Sequence, residues 1–323
     1  MVLCRRIVVH GKQRCACDMS YYALKCERKK KIMKNMINSG VLSEKIIGIA
    51  GFGHLGSSIA FALIAHGFPK ERLMISCGGR DTTLARIRTA GLGDCIVDTA
   101  SLVRRADIIL LAARPQDLGA FYGLSVKSGA LVLSFMAGVA LETLHEVFSC
   151  DICRVMCSGP DTIAEGLGIG AAFPQNAVAC TTLASCGLDV LDVSGEEEID
   201  AFTVAICLPP ILLNVRVSQE EKARALKELS QRYPVCIEIS AWIDRVLAFR
   251  SQEERSATLA GVSTKGGVTE SMTTALKKGM SFSEAIATGL AKNNELRCAM
   301  RINILAAACS TGDARANTRR AAY

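Results

Sequence analysis

Between residues 46 and 157 the chain sets short, unbroken apolar runs against longer segments whose apolar residues return every three or four positions. "IIGIA" (46–50), "RLMIS" (72–76), "CIVD" (95–98), "IILLAA" (108–113), "GALVLSFMAG" (129–138) and "DICRVMC" (151–157) are runs of the first kind and predict buried strands. The segment after Gly56 has helical spacing and stops at His66-Gly67, 82–91 reads as a helix ended by Gly91, and 101–107 as the next. Strand and helix in this rhythm predict βαβ units, a parallel sheet, and helices on both of its faces.

After about residue 195 the strand signal stops. Segments 196–217, 219–233, 237–252, 269–279 and 281–300 are mostly helical, and Ser281 with Glu284 has the spacing of a capping box. The chain therefore divides into a basic extension (1–44), an α/β domain (45–195), a helical domain (196–296) and a basic tail (297–323).

Composition narrows the picture. No run of about 18 apolar residues is present, so a spanning helix is not expected, and the first residues lack the continuous apolar stretch of a secretory signal. Met33 and Met36 leave room for a later start. The net charge of +7 is unevenly spread: residues 1–44 hold 10 Lys/Arg against 3 Asp/Glu, residues 297–323 hold 5 against 1, and the middle is mildly acidic. A nucleic-acid groove would need the basic excess on the folded body, so neither nucleic acid nor membrane is an expected partner. Fifteen cysteines lie mostly inside apolar runs, as expected of reduced, core-packed thiols in a cytoplasmic protein. Cys150, Cys153 and Cys157 begin like a metal motif near His145, but "CDICRVMC" reads better as a strand of alternating burial, and Cys15 with Cys17 lacks a second pair; no metal is expected.

Gly51, Gly53 and Gly56 form G-x-G-x-x-G directly after a strand and at the start of a helix. In that context the motif signals a dinucleotide site: one glycine for the turn, one for close approach of a pyrophosphate, one for helix–strand packing. Phe52, His54 and Leu55 complete the turn, whose N–H groups face the phosphates. The second strand ends in Ser76-Cys77 rather than an acid, with Arg80 on the following loop. A hydroxyl and a guanidinium suit a 2′-phosphate, so NADPH is expected ahead of NADH, with Asp81 the one residue that argues otherwise. The fold class expected is α/β, a Rossmann-type doubly wound parallel sheet followed by an all-helical domain.

These residues resemble the pyrroline-5-carboxylate reductases from about Lys45 to Leu296. "IGIAGFGHLGSSIA" is similar to that family's first turn, and "ADIILLAARPQDL" to its strand ending in Lys-Pro, here Arg114-Pro115 after Ala113. "LVLSFMAGV", "RVMCSGPDTIAEG" and "IDAFTVAICLPP" resemble its Ser-x-x-Ala-Gly-Ile strand, Met-Pro-Asn-Thr-Pro segment and Asp-Ala-x-Thr helix. "VSTKGGVTE" resembles its Ser-Pro-Gly-Gly-Thr-Thr loop. The resemblance implies NAD(P)H-dependent reduction of the cyclic imine 1-pyrroline-5-carboxylate to proline, and a helical domain that dimerises, with an active site between one subunit's cofactor domain and the other's helices. It further implies that Ala113, Arg114 and Pro115 line the cofactor, that Gly266, Gly267, Val268 and Thr269 offer amides to the substrate carboxylate, and that the Thr269 hydroxyl is the catalytic group near the ring nitrogen.

Departures cluster where that site would be. Gly-Ser-Gly-Pro-Ala becomes Cys207-Leu208-Pro209-Pro210-Ile211, the Asn of Met-Pro-Asn-Thr-Pro becomes Ser158, the loop proline becomes Lys265, and Thr99 replaces an Asn offered to the cofactor. They motivate a second reading, a dinucleotide-binding paralogue with another imine substrate or none. The β-hydroxyacid dehydrogenases share the architecture but need a lysine three residues after an Asn on a helix; after Asn214 that position is Val217.

Overall fold

The central strands are mostly apolar because both of their faces are covered. The computed structural model describes residues 6–9, 12–15, 40–249 and 266–320. The basic run at 28–34, Met33, Met36, Lys265 and the last three residues lie outside them. A short antiparallel hairpin, β1 (Arg6–Val9) and β2 (Lys12–Cys15), precedes the main body.

The body begins with β3 (Ile47–Ala50), α1 (His54–Ala65), β4 (Leu73–Ser76), α2 (Asp81–Thr89), α3 (Thr99–Arg105) and β5 (Ile108–Leu111). It continues through β6 (Leu131–Ser134), α4 (Leu141–His145), β7 (Asp151–Cys157), α5 (Pro160–Ala164), β8 (Ile169–Phe173), α6 (Ala177–Ser185) and β9 (Asp189–Val190). The seven-stranded sheet has the order β4-β3-β5-β6-β7-β8-β9. Its pairings are parallel except β7 with β8, which run antiparallel. Ile47, Ile49, Ile108, Leu110, Leu131 and Leu133 point to one face, where they pack with α1 residues Ile59 and Leu63. Ala50, Ile109, Leu111 and Val132 point to the other, against Leu102 and Val103 of α3. Alternating side chains thus feed two cores, which is why β3 and β5 carry no polar residue and β6 only its terminal Ser134.

Two sequence expectations are corrected. "CIVD" is not a strand: Gly93–Cys95 form a 3₁₀ turn, and only Ile96 makes a parallel bridge, to Ile75. Asp98 caps the next helix by accepting from Ser101 N, so the chain leaves the sheet before a second rung forms. The strand order therefore keeps a rudimentary outer strand beyond β4. Conversely, β8 and β9 gave no clear apolar run, because both are small or short, with Gly170 held under Leu188.

The helical part comprises α7 (Glu196–Ala205), α8 (Leu208–Asn214), α9 (Gln219–Arg232), α10 (Val235–Phe249), α11 (Val268–Lys277) and α12 (Phe282–Arg320). The mostly helical segment expected over 196–217 resolves into two helices, because Pro209 and Pro210 are accommodated only in the first turn of a new helix. Ser281 and Glu284 form the expected capping box, each serving the other's backbone N–H at 2.8 and 3.3 Å. Trp242, Phe202, Ile239 and Met272 centre this core, which also takes in Met156 of β7. Helix α12 reaches back onto the sheet domain, where Met300 and Ile304 join its second core.

Candidate functional site

The glycine turn after β3 has the geometry its sequence implies. Gly51 sits at φ +105°, and a Cβ there would stand 2.5 Å from the Ala113 nitrogen. Only glycine meets both demands. A Cβ on Gly56 would strike the Gly51 carbonyl oxygen, whereas one on Gly53 would meet open space. The turn is pinned by Gly51 N–H donating to the Ser76 carbonyl at 2.8 Å. Gly53 caps α1 with no side chain on the helix terminus and no acid in the first turn. Main-chain donors and the positive helix end are thereby left for an anion, and the open space at Gly53 gives it room. These residues fit a dinucleotide pyrophosphate.

The turn lies where β3 is flanked by β4 and β5, at the carboxyl ends of the strands, which is where open α/β sheets take ligands. Its rims carry the other expected cofactor residues. His54 is exposed and Leu55 half-buried. Ser76 is buried at the end of β4, and Arg80 is exposed at the N-cap of α2, with Thr83 N–H donating to its carbonyl. Ala113 leads into Arg114, exposed and paired with Asp117 at 3.1 Å, and Pro115 opens a 3₁₀ helix.

One residue here was missed. Arg86 of α2 donates from Nη2 to the Phe52 carbonyl, and its guanidinium lies 5.6 Å from the centre of the Phe52 ring. It ties the helix after β4 to the glycine turn. Its sequence signal is weak, since a lone arginine on an exposed helix face has no distinguishing neighbours.

The second group of expected residues lies in the helical part. Gly266, at φ +73°, and Gly267, the N-cap of α11, form the turn. Val268 and Thr269 are buried behind it. Gly266 N–H donates to Glu270 Oε2 at 2.5 Å, so the first amide of the turn is already engaged. The Thr269 hydroxyl shares a hydrogen bond with Cys207, whose thiol also donates to the Thr203 carbonyl at 3.2 Å. Burial pushes that thiol up to about 11, so at neutral pH it is a protonated donor.

Within one chain the two groups belong to different packing units. Helix α11 packs on α12 and α8, inside the helical core, while the glycine turn belongs to the sheet domain. The units are joined by the apolar contacts of Met156, Met300 and Ile304 and by an ionic cluster. Arg154 of β7, 1% exposed, donates to Glu196 Oε1 and Asp200 Oδ1, each at 2.9 Å. Asn293 and Arg297 of α12 donate to the same Asp200 at 2.9 and 3.1 Å.

Ser158, which stands where the family pattern has Asn, is fully buried. Its oxygen accepts from Ile169 N–H at 3.1 Å and lies 2.7 Å from the Thr162 hydroxyl. It holds β7 and β8 together rather than facing a cleft. Cys150, Cys153 and Cys157 run along or beside β7, and among the described residues no cluster of His, Cys, Asp or Glu could hold a metal. No helix among the described residues is long and apolar enough to cross a membrane.

Residues 46–138 match the family described as NADP oxidoreductase, coenzyme F420-dependent. A pyrroline-5-carboxylate reductase of Pasteurella multocida (strain Pm70) is 30% identical over 144 residues, 42% of this chain and 52% of the relative. The chain thus matches about half the length of that curated relative. Among solved structures, 1-pyrroline-5-carboxylate reductase from Streptococcus pyogenes aligns over 77% of this chain and 98% of its own, at 18% identity and a TM-score of 0.49. The Plasmodium falciparum pyrroline carboxylate reductase with NADP bound aligns over 79% and 98%, at 18% identity and a TM-score of 0.48. An NADH-preferring ketol-acid reductoisomerase from an uncultured archean covers 87% of this chain and 91% of its own, at 14% identity and a TM-score of 0.50, a likeness of fold alone. This chain carries a nicotinamide-dinucleotide-binding fold and is similar to the pyrroline-5-carboxylate reductases, the family that its own motifs resemble.

Proposed function

We propose that the protein is a nicotinamide-dependent reductase of cyclic imines, converting 1-pyrroline-5-carboxylate to proline with NADPH as the preferred donor. The observation that carries this reading is the cradle at Gly51–Gly56, together with a second glycine turn at Gly266–Gly267 that opens a helix. Bound in the cradle, the nicotinamide would supply a hydride to the imine carbon. The remaining work belongs to the chain. The glycine turn orients the dinucleotide, Arg80 meets the 2′-phosphate, and the amides at 266–269 hold the substrate carboxylate at a helix N-terminus. Thr269 places its hydroxyl by the ring nitrogen, where the protonated imine is most electrophilic.

The two turns are supplied by different chains in this reading. One subunit's cradle faces the partner's α11, in a homodimer or larger assembly. Consistent with it, Ile237 on α10 and Ile302 on α12 are 63% and 67% exposed, apolar side chains that a partner subunit would cover. Incubation of the protein with NADPH and 1-pyrroline-5-carboxylate tests the proposal through proline formation and loss of cofactor absorbance. Turnover that collapses in Gly267→Val supports it; tight NADPH binding without turnover of any cyclic imine favours instead a dinucleotide-binding paralogue.

A further inference from the structure

The first amide of the α11 turn is occupied by the protein's own carboxylate. Gly266 N–H donates to Glu270 Oε2 at 2.5 Å. Glu270 is the third residue of the helix, so its side chain curls back over the terminus as in half of a capping box. The Gly267 cap contributes no side chain that could take this role. Glu270 is nevertheless exposed, on an open groove of about 350 Å³ lined by Gly266, Gly267, Ser271, Lys278 and Lys292 among others. Its carboxylate therefore sits where an incoming carboxylate would dock, and it has solvent to swing into.

We propose that Glu270 is an internal competitor for the substrate carboxylate and sets the affinity of the site for anionic ligands. The inference rests on the imine-reductase reading for its ligand, since that reading assigns the 266–269 amides to the substrate. One N–H cannot serve two carboxylates at full strength, and two like charges at one helix end repel. An anionic substrate must displace Glu270, which raises its KM. A ring of the same size without a carboxylate, which does not seek that amide, meets no such barrier. Once the carboxylate is seated the helix terminus is the same in either case, so kcat stays nearly constant.

The experiment compares native protein with Glu270→Ala and Glu270→Gln, using NADPH with 1-pyrroline-5-carboxylate and, separately, 1-pyrroline. Glu270→Ala frees the amide; Glu270→Gln keeps an acceptor but removes the charge, and it protects the test should the alanine variant fold poorly. The expected result is a KM for the carboxylated imine lower by about tenfold in Glu270→Ala and by an intermediate factor in Glu270→Gln, which keeps an acceptor without the charge. The KM for 1-pyrroline and both kcat values should stay within about twofold. An unchanged or higher KM for the carboxylated imine in both variants overturns the proposal. Calorimetry of L-proline binding to the NADP-loaded proteins separates this outcome from failure of the reductase reading. If native protein turns over neither imine but Glu270→Ala binds proline more tightly, Glu270 is a competitor in a protein that is not this reductase. No gain in proline affinity in either variant sinks the competitor itself.

Discussion

The hydroxyl of Thr269 shares a hydrogen bond with the thiol of Cys207, a residue that stands where the family pattern has glycine. The group expected to work at the ring nitrogen is thus held by a neighbour that the pattern lacks. A net hydrogen bond is worth about 1 kcal/mol, or roughly a fivefold bias between orientations of the hydroxyl. Cys207→Ala should therefore raise kcat on the imine by about fivefold. Cys207→Ser, which keeps a partner, should stay near native, and Thr269→Ala should lose most turnover. Steady-state rates on the three variants check this, and equal rates in native and Cys207→Ala would remove the restraint from the account.

Alkaline conditions should weaken the fold through its buried thiols. Burial raises Cys150, Cys153 and Cys207 from 9.0 to about 11, and Cys157 and Cys236 to about 12. In each case the protonated thiol is the form the fold prefers, so between pH 9 and 11 the native state binds more protons than the unfolded chain. The stabilisation is complete below pH 9 and is lost as pH rises through the folded values, by up to ~1.4 kcal/mol per pH unit for each thiol. Urea midpoints should be flat from pH 7 to 8.5 and fall steeply by pH 10. In Cys157→Ala with Cys236→Ala the baseline drops through lost packing, but the alkaline slope should become shallower; an unchanged slope would assign the loss to other groups.

Arg154 joins the sheet to the helices through Glu196 and Asp200 from a position only 1% exposed. Removing the guanidinium breaks both pairs at once, leaving Glu196 with the Leu141 N–H and Asp200 with Asn293 and Arg297. Breaking such a buried pair costs about 3–5 kcal/mol. Arg154→Ala should show a loss of that order in urea unfolding, and Glu196→Gln a smaller one, because Glu196 is the more exposed partner. Equal losses for the two would mean that Asp200 contributes nothing to the junction.

The sheet was legible because five of its seven strands, β3 to β7, lie in mostly apolar runs, and a strand buried on both faces leaves that signature. The cofactor turn was legible because its glycines are separately required, Gly51 by φ and by Ala113, Gly56 by the Gly51 carbonyl. "CIVD" misled because periodicity cannot see that Asp98 is needed as a helix cap one residue later. The helical character of 196–217 was legible, but the break inside it is set by Pro209 and Pro210, which fit only the first turn of a new helix. The link from Arg86 to Phe52 spans 34 positions in sequence and leaves no local pattern. The same holds for Glu270, whose spacing from Gly266 is ordinary for a helix start until the turn is expected to bind an anion.

Arg80 and Arg86 should separate into different roles. Arg80 is exposed on the loop after β4, free of the glycine turn, where a 2′-phosphate would lie in the expected site. Arg86 is committed to the Phe52 carbonyl and ring, so it shapes the turn that both nicotinamide cofactors would share. Arg80→Ala should then weaken NADPH by roughly tenfold or more, the loss of a charge-assisted hydrogen bond of about 1.5–3 kcal/mol, and leave NADH within about twofold. Arg86→Ala should weaken the two cofactors by similar factors, because the loosened turn binds the pyrophosphate common to both. Fluorescence titration of each variant with each cofactor gives the four constants. A selective loss of NADPH in Arg86→Ala would transfer the 2′-phosphate from Arg80 to Arg86, and a parallel loss of both cofactors in Arg80→Ala would take the phosphate away from Arg80.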